Sequence, residues 1–360
     1  MSRAVAQVFD GPGRPMRLQE FPLPDRLEPG EVLVQLRLAT LCGSDLHTIE
    51  GRRHEPAPAI LGHEGVGVVL RCGAQRTGLI AGARVTWSIA DSCGACAPCI
   101  DFDLPEKCDH LFKYGHATTA DGHGLNGTYA THVILRRGTK IIPVPDALSD
   151  DLVAPANCAL ATVANVLSHV PAQSTSVLVQ GAGLLGLYAC AWLRDRGVEY
   201  VFCSDPLPAR RQLSERFGAI PMATSEAELP ARTEHIRASA PHGVDAVLEL
   251  SGARSALPEG VGHLRVGGVY VLAGMVHPDS DLGGITGEQI IRKCLTLRGV
   301  HNYSPRHLEQ GVAFLERSCH QLPFHDLVSP PVALSRFAEA IELSAQRTWC
   351  RVAINPEEFL

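Results

Sequence analysis

The sequence predicts an α/β chain in two parts, a β-rich N-terminal domain and a doubly wound parallel-sheet domain. Three observations carry this. A short apolar run, Val177 to Val179, meets Gly181-Ala182-Gly183-Leu184-Leu185-Gly186 and passes at once into a helical apolar pattern from Leu187 to Leu193. Residues 1–40 alternate apolar and polar side chains, as in Glu31-Val32-Leu33-Val34-Gln35-Leu36-Arg37-Leu38, with the period of half-buried antiparallel strands. The later runs Ala246 to Leu250, Val269 to Ala273 and Leu295 to Val300 are short, apolar and β-branched, as strands buried in a parallel sheet are.

Composition narrows what such a chain can do. Its 360 residues suffice for two domains with separate cores. An apolar content of 45% with 19% charged residues is that of a soluble globular protein, and no uninterrupted apolar run reaches the length of a membrane span. The N-terminal MSRAVAQVFDGPGRP lacks the apolar core of a signal peptide, so a cytoplasmic location is expected. A formal net charge of -6, with no basic run, speaks against nucleic acid as a partner. Twelve cysteines without a secretory signal are read first as metal ligands or buried thiols rather than disulfides.

Along the chain, LCGSDLHTIEGRRHEPAPAILGHEGVGVV offers Cys42 as a thiolate donor and His63 as an imidazole donor, both types that zinc prefers. Asp45 and Glu64 stand beside them; either acid could orient a ligand, or Glu64 could itself enter the coordination sphere. By spacing alone, a core cysteine and a satisfied histidine read as well. Cys93, Cys96, Cys99 and Cys108 are a stronger signal. Four thiolates within sixteen residues can close a tetrahedral zinc site with no open position, which would hold a lobe that has little core of its own. Residues 127–145 alternate again and read as strands, and Asp150 to Leu167 is helical in pattern, carrying Cys158 and Thr162. In the glycine motif, Gly181 permits the turn, Gly183 lets a pyrophosphate approach the backbone, and Gly186 lets the helix pack closely. The next apolar run, Tyr200 to Cys203, delivers Asp205 nineteen residues after Gly186, where a carboxylate accepts the ribose hydroxyls of NAD.

In their order along the chain, CGSDLH, GHEGVGVV, the four-cysteine lobe and GAGLLG leading to Asp205 resemble the zinc-dependent medium-chain alcohol dehydrogenases over essentially the whole sequence. The resemblance implies a GroES-like catalytic domain at 1–155 with a structural zinc lobe, completed by 300–360, and a Rossmann NAD-binding domain at 156–299. It implies that the cysteine of Asn157-Cys158-Ala159-Leu160-Ala161-Thr162 joins Cys42 and His63 on a catalytic zinc with one open position. It places Ser44 and His47 in a proton relay, Leu184, Leu185, Thr162 and Arg210 at the cofactor, and Arg351 near its pyrophosphate. A homodimer or tetramer is the family's habit. Two departures stand out: eight residues separate Cys99 from Cys108 where the family has seven, so the lobe's last loop should bulge, and Ala83 precedes Arg84 where the family places aspartate.

The implied reaction is NAD-linked oxidation of an alcohol to an aldehyde or ketone: the metal lowers the pKa of a bound alcohol, and the nicotinamide accepts hydride from the resulting zinc-bound alkoxide. Segments such as CDHLFKYGH and RGVHNYSP resemble a subgroup associated with phosphonate catabolism, so an anionic hydroxy compound is one expectation, with Arg52 and Arg53 as candidates for its head group. Polyol and threonine-type secondary alcohols are the other. A zinc-free reductase and a non-catalytic NAD- and zinc-binding sensor are the remaining readings, opposed by the three ligands, the relay residues and Asp205.

Overall fold

In the computed structural model, which describes residues 3–224, 227, 229–277 and 280–357, the alternating run around Val34 is the strand Val32–Leu41. Eight of its ten residues are buried, because strands flank it on both edges: Glu64–Cys72 on one side, and His132–Leu135 and Val352–Asn355 on the other, all antiparallel. Arg84–Trp87 and Ile141–Pro143 extend this sheet beyond Glu64–Cys72, and Val332–Ala333 extends it beyond Val352–Asn355. A smaller sheet pairs Arg3–Phe9 with Arg17–Pro22 and Ala59–Ile60. Between them lies a core that includes Val8, Leu36, Val69, Val85, Trp87 and Tyr114, all fully buried. Each such side chain contributes roughly 1.5–3 kcal/mol through removal from water.

The chain divides into two units, the first formed by Met1–Ala161, Ser304–Cys319 and Phe324–Leu360, the second by Thr162–Tyr303 and His320–Pro323. Cys158 therefore belongs to the same unit as Cys42 and His63. The second unit is built on six parallel strands in the spatial order Ile220–Met222, Tyr200–Ser204, Ser176–Gln180, Val244–Glu249, Leu264–Leu272, Thr296–Gly299. In chain order this is 3-2-1-4-5-6, the arrangement of a dinucleotide-binding doubly wound sheet. The fifth strand begins well before the apolar run read from the sequence; its first half contains Gly267 and Gly268, which gave no apolar signal.

The helical pattern from Asp150 is broken in the structure into Asp150–Val153, a π-type turn at Ala156–Leu160, and Ala161–Ser168. By length and composition alone Asp150–Ser168 is apolar enough to cross a bilayer, but 78% of that window is buried inside the fold, as in a core helix. Among the six cysteines outside the two clusters, Cys190, Cys203 and Cys319 are buried, while Cys294 is exposed and corrects the expectation of uniformly apolar surroundings.

The four-cysteine lobe folds as anticipated around its sulfurs. Cys96 Sγ lies 3.4 Å from Cys99 Sγ and 3.7 Å from Cys108 Sγ, and all four sulfurs lie within 4.8 Å of one another. Backbone amides turn inward as donors to sulfur: Cys93 and His110 to Cys108, at 3.2 and 3.3 Å, and Ala95 to Cys93 at 3.4 Å. Amides of Ala95 and Cys96 bring the Cys93 thiol down to about 6, favouring the thiolate that a metal requires. In the long last loop Asp103 takes the left-handed region at φ 51° and is tied to Arg306 by a 2.7 Å ion pair. Arg84, which lacks the usual aspartate before it, is held instead by Asp150 at 3.1 Å and the carbonyls of Pro145 and Leu148.

Removing one of these thiolates leaves the lobe without its cross-link. Cys96→Ser is expected to lower Tm by about 5 °C or more in calorimetry and to release one of two zinc equivalents in metal analysis. Cys294→Ser, at an exposed position, should leave both measurements unchanged.

Candidate active site and metal centre

Three neighbouring strands of the first unit converge on one buried point. Leu41 ends the central strand, so Cys42 caps the helix Gly43–Ile49. Glu64 begins the adjacent strand, paired in register with Thr40. On the other side Val352 pairs with Leu41, bringing in the preceding Arg351. Cys158 arrives from the π-type turn, whose extra residue per turn is a device often found where a helix must present a side chain to a functional site. One ligand atom from each of Cys42, His63, Glu64 and Cys158 lies within 4.8 Å of the others.

Each donor is held by neighbours. Asp45, 1% exposed, accepts hydrogen bonds from the Tyr129 hydroxyl at 2.7 Å and the Cys42 amide at 3.2 Å, and stands 3.5 Å from His63 Nδ1. Asn157 donates to the His63 carbonyl at 3.1 Å. Glu64, fully buried, accepts from Thr40 Oγ1 at 2.5 Å and from the guanidinium of Arg351 at 2.8 to 3.0 Å. Arg351 Nη2 also reaches Cys42 Sγ at 3.5 Å. The sequence reading directed Arg351 to the pyrophosphate; here its guanidinium is buried against Glu64, a pair 287 residues apart that no local pattern could reveal.

The electrostatics of the pocket favour a cation. A hydrogen bond from Cys158, opposed by burial and helped by Arg351, holds the Cys42 thiol well below the ordinary thiol range. Burial disfavours charge on His63, yet Asp45 and Cys42 outweigh it and push the imidazole up to about 10, so the surroundings call for positive charge at this point. Burial raises Glu64 to about 7 despite Arg351. Two sulfurs and an imidazole are borderline-soft donors suited to zinc, and a tetrahedral zinc site with bonds of about 2.3 Å has sulfurs about 3.8 Å apart. The residues present fit the metal. Because the Glu64 oxygens are engaged by Arg351 and Thr40, three donors remain to point at the same place.

Ser44 and His47 lie on the helix that Cys42 caps, one turn apart, with Ser44 half-buried and His47 exposed. Arg52 and Arg53 follow in a turn whose amides donate to the His47 carbonyl at 2.9 and 3.1 Å. The two arginines then part company. Arg52, its side chain 60% exposed, pairs with Glu50 at the surface. Arg53 Nε lies 2.7 Å from Glu55 Oε1, which accepts the His116 ring nitrogen Nδ1 at 2.8 Å, and the His116 ring stacks 5.5 Å from that of His63. Glu55, His116 and the adjoining Lys113 had no motif to announce them.

In the second unit the glycine motif joins the strand Ser176–Gln180 to the helix Leu184–Asp195. Gly181 has φ 101°, and a Cβ there would lie 2.9 Å from Ser251 Cα. Gly183 caps the helix and has open space where a Cβ would be, whereas a Cβ on Gly186 would lie 1.8 Å from the Gly181 carbonyl oxygen. Gly186 thus closes the turn on itself, more than it closes helix onto sheet. Leu184 is buried and Leu185 opens the helix beside it; Thr162 lies half-buried at the start of the helix Ala161–Ser168. Asp205, 4% exposed, accepts from the amides of Ala182 and Leu207, each at 2.9 Å, and so stands directly against the glycine turn. Arg210 is half-buried on the helix Pro208–Glu215, while its neighbour Arg211 donates to the carbonyls of Asp205 and Pro206. Past the fourth and fifth strands, Gly252 at φ 72° and Gly274 nearly touch.

The comparisons agree with this geometry. Residues 28–146 match the family model of the alcohol dehydrogenase GroES-like domain, and residues 185–317 that of the zinc-binding dehydrogenases. The chain is 28% identical over 332 residues to 5-exo-hydroxycamphor dehydrogenase of Pseudomonas putida, covering 88% of this chain and 89% of the relative. It is 31% identical over 275 residues to "Probable D-xylulose reductase A" of Aspergillus fumigatus, covering 72% of each, and 28% identical over 304 residues to L-threonine 3-dehydrogenase of Chromobacterium violaceum, covering 83% and 84%. Among solved structures, an alcohol dehydrogenase from Thermotoga maritima superposes with a TM-score of 0.91 at 29% identity, covering 99% of this chain and all of the other. With the two family models, the paired cysteine-rich clusters and the dinucleotide turn in agreement, the chain belongs to the zinc-dependent medium-chain alcohol dehydrogenases, and it is an oxidoreductase that uses NAD and zinc.

Proposed function

We propose that this enzyme oxidises the hydroxyl of a small alcohol to a carbonyl at the Cys42, His63 and Cys158 cluster. The observation that carries the reading is the close group of two sulfurs and one imidazole beside a buried carboxylate already engaged by Arg351. When bound, zinc supplies Lewis acidity that lowers the pKa of a hydroxyl brought to it, and NAD supplies the hydride acceptor. The chain's own residues do the rest. Cys42, His63 and Cys158 hold the metal; Asp45 orients His63; Arg351 neutralises Glu64 so that the acid does not compete for the fourth position. Ser44 takes the hydroxyl proton of the substrate, and His47, at the exposed end of the helix turn, passes it to solvent. Gly181, Gly183, Leu184, Leu185 and Gly186 cradle the pyrophosphate, Asp205 accepts from the adenosine ribose, and Thr162 and Arg210 complete the cofactor's surroundings.

Two substrate classes follow. An alcohol carrying an anionic group of the phosphonate or carboxylate type is supported by Arg53, whose charge is linked through Glu55 and His116 to the ring of His63. A polyol or threonine-type secondary alcohol is supported by the names of the relatives, which include a D-xylulose reductase, a D-arabinitol dehydrogenase and an L-threonine 3-dehydrogenase. Assembly as a homodimer or tetramer and a cytoplasmic location accompany the proposal.

Three outcomes are expected. Cys158→Ala should reduce turnover below detection with any alcohol while leaving Tm within a few degrees, since the four-thiolate lobe is intact; residual activity comparable to wild type would remove Cys158 from the metal. NAD should be preferred over NADP in kcat/KM, because the Asp205 carboxylate meets a 2′-phosphate with like charge, and Asp205→Ser should narrow the ratio. Equal use of both cofactors by the wild-type enzyme would mean that Arg210 outweighs the acid. His47→Gln should slow oxidation most at low pH, where hydroxide cannot replace the lost proton acceptor; an unaltered pH-rate profile would exclude the relay.

A further inference from the structure

We propose that Glu249 is the positioning residue for the nicotinamide half of the cofactor: its buried carboxylate fixes the two loops that wall that half of the crevice, one at Ser251 and Gly252, the other at Gly274. The inference rests on the cofactor seat at the glycine turn and names a residue beneath it.

Glu249 stands where the order of the parallel sheet reverses. It ends the fourth strand, Val244–Glu249, and pairs in register with Gln180, the last residue of the first strand. In a 3-2-1-4-5-6 sheet the dinucleotide crevice opens outside the carboxyl ends of these two neighbours, with one mononucleotide over strands 1-2-3 and the other over strands 4-5-6. Asp205, just past the second strand, assigns the adenosine half to the first side. The loops that follow the fourth and fifth strands therefore border the nicotinamide half.

The Glu249 side chain is fully buried, and donors from both loops converge on it. Its Oε1 accepts the amide and the hydroxyl of Ser251, each at 2.8 Å, and the amide of Gly252 at 2.6 Å. Its Oε2 accepts the amide of Gly274 at 3.0 Å, an amide that the Glu249 carbonyl also accepts at 2.9 Å. Among the described residues, no lysine, arginine or histidine pairs with this acid. A buried carboxylate is costly, and charge-assisted bonds from four donors offset that cost. Only a carboxylate accepts at both of its ends, so only an acid can hold both loops at once; a glutamine would turn its own N–H groups against one of them.

The loops leave no room for a shift. A Cβ on Gly274 would lie 2.7 Å from the Gly252 nitrogen and 2.8 Å from the Ser251 nitrogen, and a Cβ on Gly181 would lie 2.9 Å from Ser251 Cα. The fifth-strand loop thus packs on the fourth-strand loop, which packs on the glycine turn. His277 Nε2, 3.1 Å from the Gly252 carbonyl oxygen, ties the two loops a second time. Displacing Ser251 would move the turn on one side and Gly274 on the other, and a misplacement of about 1 Å in a ligand seat is worth about 100-fold in rate. Buried beneath the loops, Glu249 acts through them.

The test compares NADH, which needs both halves of the seat, with AMP, which needs only the adenosine half, on the zinc-loaded full chain. NADH binding is read from nicotinamide fluorescence and AMP binding from calorimetric titration. Glu249→Gln should raise the Kd of NADH by about 10-fold or more, the effect of losing one charge-assisted hydrogen bond, and should leave the Kd of AMP within about twofold of wild type. Both zinc equivalents should remain, since the metal ligands lie in the other unit. If Glu249→Gln does not fold, Glu249→Asp, one methylene too short to reach both loops, serves in both titrations. The proposal is overturned if NADH binding stays within about twofold of wild type, or if NADH and AMP weaken in the same proportion, as a general loosening of the domain would produce. A wild-type protein that does not bind NADH would overturn the cofactor seat itself, and this inference with it.

Discussion

Donors that attract a metal also repel one another, and the first unit is arranged around making their proximity tolerable. Two thiols, an imidazole and a carboxylate share a region 4.8 Å across, with Cys42, His63 and Glu64 buried and Cys158 half-buried. An isolated buried carboxylate is costly enough to take up a proton instead, and Glu64 is moved in that direction. Arg351 opposes the shift with bonds to both carboxylate oxygens, and the same guanidinium touches Cys42. Asp45 plays the opposite part, adding a negative charge behind His63 and borrowing Tyr129 as a donor for its second oxygen. Charges of both signs alternate outward from the ligands, so a divalent ion completes a nearly balanced set. Replacing any one of them would leave a buried charge uncompensated, which costs more than an average contact.

This alternation is possible because antiparallel register delivers it. Thr40 faces Glu64, and Leu41 faces Val352, so the ends of three neighbouring strands present a thiol, an acid and a base at one level. A slip of one residue in either pairing would turn the side chains to the other face of the sheet. The two core clusters beneath these strands hold the register, with Leu36 and Trp87 in one and Leu41, Tyr129 and Ile354 in the other. Packing and chemistry are thereby coupled through Tyr129, a core side chain whose hydroxyl is also the partner of Asp45.

What could be read from sequence divides along the range of the interactions. The glycine turn, its helix and Asp205 lie within thirty residues, and each follows from local geometry: a positive φ at Gly181, an absent Cβ at Gly186, a strand end at Asp205. The four-cysteine lobe is equally local. Cys42 and His63 were visible as donor types, but Cys158 was assigned through resemblance, because the strand and turn that bring it to them belong to separate parts of the chain. The Arg351 partnership escaped because it joins opposite ends of the chain.

The placement of Arg351 also couples two distant parts of the chain. Glu64 opens one strand and Arg351 immediately precedes another, and both strands pair with Val32–Leu41. The acid beside the ligands has its counter-charge only while Val352–Asn355 is docked, so loosening that strand at any point along its length would reach the cluster as an unpaired buried carboxylate.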